Sequence, residues 1–153
     1  MMRMAIGYGL VMATVMTATA RAQDKDKGTY QDDKRFGTYE FVSGRNADGE
    51  FSKGQLSGTV KVTKDMVYRY DKDGKETHAI AYKVKGDKEP YKIDLEIKRS
   101  IVAKVIGRTA KGLGKNDGDV ATLIYSYAEE GDYPDDFKPD AQQNLFVLKR
   151  TGD

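Results

Sequence analysis

The 153-residue sequence contains no cysteine and a single histidine, His78. Without cysteine the chain forms no disulfide, and thiol catalysis, cysteine-ligated zinc and iron–sulfur clusters are excluded. No Gly-x-Ser-x-Gly elbow presents a nucleophile, and no glycine-rich loop followed by a helix cradles a phosphate. The sequence therefore predicts a protein that is not an enzyme, that needs no cofactor, and whose fold is held by core burial and backbone pairing.

Metal-binding motifs are incomplete as well. The acidic turns at 71–74 and 116–119 resemble fragments of calcium-binding loops, but neither turn is followed by the glutamate that completes such a loop. Turn formation accounts for both, because Asp and Gly are favoured there. The denser acidic group at 129–136 would bind a cation only weakly, and a solvated loop is the simpler interpretation. We expect no metal.

The N-terminal segment is almost free of charge. Arg3 precedes an uncharged run at 4–20, and Ala20 and Ala22 flank Arg21 in a small-x-small pattern. This arrangement predicts a signal peptide over 1–22, cleaved after Ala22, and export to a bacterial periplasm or the extracellular space. An uncleaved membrane anchor is the alternative, since the run is about the minimum length for a span. After cleavage no integral membrane span would remain.

The charge balance changes once that segment is set aside. Two of the 26 basic residues lie in it, so 24 basic and 24 acidic residues remain among 131 residues. A net charge near zero argues against nucleic acid or an anionic membrane as a partner. The remaining length is enough for one domain with a core of its own.

Alternation at period two is the strongest pattern in this domain. Within 91–98, apolar residues and Tyr91 alternate with charged residues, which places one set on each face of a strand. Similar patterns predict eight strands, at 37–45, 59–63, 66–70, 77–84, 91–98, 108–115, 120–128 and 144–150. The residues between them are predicted to be a polar leader at 23–35, loops at 46–58 and 129–143, and an irregular link or short helix at 100–106.

Eight strands joined in sequence favour an all-β fold, an antiparallel up-and-down barrel over 36–151. Closure of a barrel removes the exposed strand edges that promote aggregation. A sandwich of two sheets is the alternative. The interior of an eight-stranded barrel is either filled by side chains or holds one small ligand.

The ends and the middle of the domain resemble a known family. Gly37-Thr38-Tyr39 resembles the Gly-x-Trp opening of lipocalin-like barrels, and Leu-Phe-Val-Leu-Lys-Arg at 145–150 resembles their closing strand. With the hairpin at 112–128 and Tyr-Pro-Asp-Asp-Phe at 133–137, the chain is similar to a small planctomycete lipocalin-like domain family associated with sigma-factor genes.

The likeness covers about 32–150, and Tyr39 stands where that family usually has tryptophan. It implies an exported lipocalin-like barrel of uncharacterised function. It also implies a closed end built from Gly37, Tyr39 and Arg150, with the Arg150 guanidinium stacked on the Tyr39 ring. A solvated Arg150 is the alternative.

Candidate ligand-binding residues lie on the faces predicted to point inward: Tyr68, Tyr70, His78, Tyr82, Tyr91, Ile93 and Leu95. Inward tyrosines would give an apolar pocket with a few hydroxyl groups, although tyrosine also serves as core filler. An inward His78 is either a ligand contact or a satisfied structural residue. The directions of Tyr125 and Tyr127 stay open, because Ile124 occupies the other face of their strand.

Two functions follow from these expectations. The first is a non-enzymatic barrel that binds a small apolar or amphipathic ligand, and it requires an interior cavity. The second is an envelope protein-interaction or enzyme-inhibitor module that uses the barrel rim and the 129–143 loop. A filled interior with an exposed apolar patch around Phe51, Leu56 or Phe137 would favour the second.

Overall fold

The computed structural model describes residues 35–127 and 131–153, so the predicted signal peptide at 1–22 and all but the last residue of the polar leader lie outside the described residues. The described elements, in chain order, are β1 (Gly37–Asn46), β2 (Gly49–Glu50), β3 (Thr59–Val62), β4 (Met66–Tyr70), β5 (Glu76–Lys85), β6 (Tyr91–Ser100), a 3-10 helix (Ala103–Val105), β7 (Thr109–Asp117), β8 (Val120–Ser126) and β9 (Gln143–Gly152). Within these ranges no helix is long and apolar enough to cross a membrane.

Eight strands close into an antiparallel barrel. Each strand from β3 to β9 pairs with the next, and β1 pairs with both β3 and β9. The two-residue strand β2 pairs only with the end of β1. The prediction of an all-β, closed eight-stranded antiparallel barrel is therefore confirmed, and the β1–β9 pairing excludes the two-sheet sandwich.

Strand positions agree closely with the alternation pattern. The strand predicted at 91–98 extends through Ser100, and the following link forms the short 3-10 helix Ala103–Val105. The sequence does not predict the short strand β2, because its two residues lie within the glycine-containing loop predicted at 46–58. The alternation of apolar and polar residues predicts the strands well, because one face of each barrel strand is buried.

One end of the barrel is sealed by Arg35 and Phe36, the two described residues before β1. The Tyr39 hydroxyl donates to the carbonyl oxygen of Arg35 at 2.9 Å, and Arg150 Nε donates to the carbonyl oxygen of Phe36 at 3.0 Å. Gly37 has a φ of 136°, and a Cβ there would collide with the carbonyl oxygen of Gly152. Only glycine fits this position, so the seal depends on it.

At the opposite end the segment 47–58 folds across the opening. The Phe51 ring stacks on Phe146 with 5.4 Å between centroids, and Arg69 Nη2 donates to the carbonyl oxygen of Gln55 at 2.7 Å. A Cβ on Gly44 would lie 2.8 Å from Phe51 and Phe146 atoms. The lack of a side chain at Gly44 thus lets this segment approach the barrel.

The segment 131–142 covers part of the outer wall. Leu113 and Ile124 lie opposite each other on β7 and β8, and they are only 4 % and 0 % exposed although they face outward. Across the same wall, the Tyr133 hydroxyl donates to Asp94 Oδ1 at 2.5 Å, which raises the pKa of Tyr133 to about 12. The described part of the predicted 129–143 loop is therefore packed on the barrel.

Candidate functional site

The barrel interior contains a cavity of about 180 Å³ that is partly open to solvent. Its walls are mainly aliphatic and aromatic, with side chains from all eight barrel strands, among them Phe41, Val67, Ile80, Leu95 and Phe146. A dry cavity of about 150 Å³ in another protein holds benzene, whereas sites for drug-sized ligands measure about 300–1,000 Å³. The interior is thus not filled, but its space suits a ligand of about one ring or a short chain.

Four of the predicted ligand-binding residues line this cavity: His78, Tyr82, Ile93 and Leu95. Tyr91 does not line it, since Tyr91 is 4 % exposed and packs with Tyr82 and Ile93 in the core toward the sealed end. The Arg35 guanidinium lies 5.3 Å from the centre of the Tyr91 ring. Tyr91 therefore contributes to the seal.

The expectation that Tyr68 and Tyr70 face the interior is wrong. On β4 the cavity is lined by Val67 and Arg69, which lie opposite Ile80 and His78 of β5. Tyr68 pairs with Ala79, which lies on the other face of β5. The sequence pattern favoured the tyrosines because they are more apolar than arginine, but a tyrosine is also stable on a half-exposed outer wall.

Arg69 is stabilised inside the barrel by an aromatic ring and a carbonyl group. Its guanidinium carbon lies 5.1 Å from the centre of the Phe41 ring, and Nη2 donates to Gln55 of the segment across the opening. Both contacts come from residues far from Arg69 in sequence. Alternation within a single strand carries no signal for them.

Two further tyrosines occupy the open end. Tyr125 and Tyr127 both line the cavity, and their rings meet edge to face with centroids 5.2 Å apart. Burial and the neighbouring Tyr127 raise the pKa of Tyr125 well above its usual value, so its phenol stays protonated. The sequence left the direction of these two side chains open. In the structure they face the interior, because Ile124 faces the covered outer wall.

His78 lies in the lining beside Arg69. Its Nδ1 is 3.1 Å from Thr77 Oγ1, and burial together with the positive charge of Arg69 lowers the pKa of His78 below 6.5. The imidazole is therefore neutral at neutral pH. Among the described lining residues there is no Asp or Glu to orient it as a catalytic base, and residues 35–127 and 131–153 hold no cluster of three potential metal ligands.

Tyr39 and Arg150 both lie at the sealed end, as predicted, but the contacts of Arg150 there differ from the predicted stacking on the Tyr39 ring. Arg150 lies opposite Tyr39 in the β1–β9 pairing, and its guanidinium donates to Phe36 and to Asp153 Oδ1. Within the described part of the chain, Arg35 over Tyr91 is the cation–ring contact at this end. The predicted stacking of Arg150 on Tyr39 is replaced by backbone hydrogen bonding that closes the barrel.

Comparison of the chain with family models, with curated proteins and with solved structures finds no match. The geometry alone describes a small apolar cavity with hydroxyl, guanidinium and imidazole groups near one end. Such an arrangement can bind and orient a small molecule.

Proposed function

We propose that the protein is an exported, lipocalin-like barrel that binds one small apolar or amphipathic ligand in its interior without transforming it. The observation that carries this proposal is the cavity of about 180 Å³ behind the open end. Ligand sites in proteins are typically apolar concavities with a few placed polar groups. This interior has that composition.

The segment 47–58 gives the proposed ligand a route. It is held across the opening by the Phe51–Phe146 stack and the Arg69–Gln55 hydrogen bond. Both contacts involve residues that line the cavity or lie next to it, so a ligand would enter by displacing this segment. Among the described residues the sealed end offers no comparable route, because Arg35 and Phe36 are hydrogen-bonded across it.

A protein-interaction role is the second candidate, and one observation favours it. Ile101, Val102 and Ile106, around the 3-10 helix at the open end, are 63 %, 40 % and 49 % exposed. Exposed apolar side chains grouped in this way are typical of contact sites. The contact would use this tip of the rim, since Phe51, Leu56 and Phe137 are each partly covered and 131–142 lies on the outer wall.

The two candidates are separated by a substitution that fills the cavity. Val60 lines the interior, whereas Val42 is exposed on the outside. Val60→Phe should abolish binding of toluene, a neutral probe of suitable size, and Val42→Phe should leave it unchanged. Proton–nitrogen NMR spectra recorded during a toluene titration report both binding and the integrity of the fold.

Overpacking at Val60 is expected to cost about 1–3 kcal/mol of stability, so the folded spectrum of the variant is checked first. Toluene binding by the wild type that survives in Val60→Phe would place the probe outside the barrel. Failure of the wild type to bind toluene or any other small apolar or amphipathic probe would contradict the proposed function. Native mass spectrometry of the protein from its own envelope fraction would then show whether a protein partner copurifies.

A further inference from the structure

We propose that the cavity selects a small organic anion, with its carboxylate at Arg69 and its apolar body in the barrel. This inference rests on the proposed function and specifies the class of its ligand. It goes beyond an apolar pocket because it predicts that a charged molecule binds better than a neutral molecule of the same shape.

The first argument is the sign of charge in the lining. Arg35, Arg69 and Lys115 contribute to it, and none of the described lining residues is acidic. The Lys115 ammonium lies 4.5 Å from the centre of the Phe137 ring, on the outer wall, so the interior charges are the two guanidinium groups. Such charges, with no carboxylate in the described lining to neutralise them, favour an anion.

The second argument is the position of Arg69. It lies opposite Val60 on one side and His78 on the other, and all three residues line the cavity. Phe41 and the Gln55 carbonyl fix the orientation of the guanidinium. A guanidinium has five N–H donors in a rigid fork that matches a carboxylate, and Gln55 engages Nη2 alone.

The third argument is the supply of neutral donors close by. Tyr125 and Tyr127 have hydroxyl oxygens 3.4 Å apart in the same lining. Arg69 lies over Phe41, and the Phe41 ring contacts Phe146. Phe146 in turn stacks on Tyr125. Phenol donors beside a guanidinium suit the oxygens of an anion, and no carboxylate of the described lining competes for them.

The size of the cavity limits the body of this anion. A volume of about 180 Å³ holds one six-membered ring with little space to spare, since benzene fits in about 150 Å³. A long-chain fatty acid would have to extend through the opening. We therefore infer that the ligand is an aromatic or short-chain carboxylate.

Benzoate and benzamide test the proposal, because they share shape and differ in charge. Titration calorimetry on the full chain at neutral pH should show benzoate binding at least about tenfold tighter than benzamide. Arg69→Gln should reduce this ratio to about one while toluene still binds. Arg99→Gln is the matched control, since Arg99 lies on an exposed surface and pairs with Glu76, and it should keep the ratio.

Arg69→Lys keeps the charge and removes the fork, so it should give an intermediate ratio even if Arg69→Gln proves unstable. Equal affinities for benzoate and benzamide in the wild type would overturn the selection of an anion and leave the proposed function standing, provided toluene binds. A benzoate preference that persists in Arg69→Lys and Arg69→Gln would place the anion elsewhere. Absence of binding by all three probes would contradict the proposed function itself.

Discussion

The two ends of the barrel use the same types of residue for opposite purposes. At the sealed end, Tyr39 and Arg150 hydrogen-bond the backbone of residues 35–36, and Arg35 lies over a tyrosine ring. At the open end, Arg69 also lies over an aromatic ring and donates to a carbonyl. Arg69, however, also lines the cavity, together with its strand neighbours Val60 and His78.

The difference shows what makes an arginine–aromatic cluster a seal or a candidate site. Main-chain groups at the sealed end are pinned by a glycine contact that tolerates no side chain. At the open end the crossing segment pairs with the end of β1 and contacts the rest of the barrel through the Phe51–Phe146 stack and the Arg69–Gln55 hydrogen bond. We therefore expect changes at the sealed end to affect stability most and changes at the open end to affect binding most.

The largest effect is expected from Gly37→Ala. Gly37 and Gly49 share a φ of 136°, but a Cβ at Gly37 meets the Gly152 carbonyl, whereas a Cβ at Gly49 meets nothing within 4 Å. Gly37→Ala should lower the free energy of unfolding by about 3 kcal/mol. Gly49→Ala, which adds the backbone strain alone, should cost about 1 kcal/mol. Urea unfolding measures both, and equal losses would show that the close approach contributes nothing to the seal.

A smaller effect on stability and a larger one on binding are expected from Phe51→Ala. The change removes the stack on Phe146 and should cost about 2 kcal/mol. It should also release toluene faster than the wild type, because the segment across the opening loses its main contact. Relaxation-dispersion NMR measures the release rate, and the exposed Lys53→Ala is the control. Unchanged release in Phe51→Ala would mean that the ligand does not pass this segment.

The smallest effect concerns pH. The pKa of His78 in the folded protein is lowered below 6.5 by burial and by Arg69, so protonation favours the unfolded chain. The neutral imidazole of His78 therefore contributes stability above pH 6.5. This contribution is lost as the pH falls through 6.5 toward the pKa of His78 in the folded protein. Urea midpoints measured from pH 7.5 to pH 5 should therefore fall less steeply for His78→Gln than for the wild type. Parallel curves would show that folding does not lower the pKa of His78.

Most of the barrel could be predicted from the sequence, and the reason is physical. A strand such as 91–98 alternates because one of its faces is buried, so its existence and its inward residues Ile93 and Leu95 can both be read from the pattern. The inward position of His78 follows in the same way from its alternation with Ile80 and Tyr82. Closure of the barrel follows from the strand count and the short connections.

The interior of β4 could not be predicted, because hydrophobicity ranks Tyr68 above Arg69. Arg69 is stable inside through Phe41 and Gln55, and these contacts exist only after the barrel has closed. Ile124 is a similar case, since an apolar residue on an outer face becomes buried when the wall around it is covered. The alternation of apolar and polar residues reports which face of one strand is buried within the barrel. It carries no information about segments from elsewhere in the chain that fold over the outer wall or the opening.

The central claim is that the cavity, rather than the rim or the outer wall, holds the ligand. Intermolecular nuclear Overhauser effects between bound toluene and methyl-labelled protein test it most directly. We predict contacts from the toluene ring to the methyl groups of Val67, Ile80 and Leu95, which line the cavity. Contacts to the exposed methyl groups of Ile101 and Ile106, without any to the interior, would contradict the account.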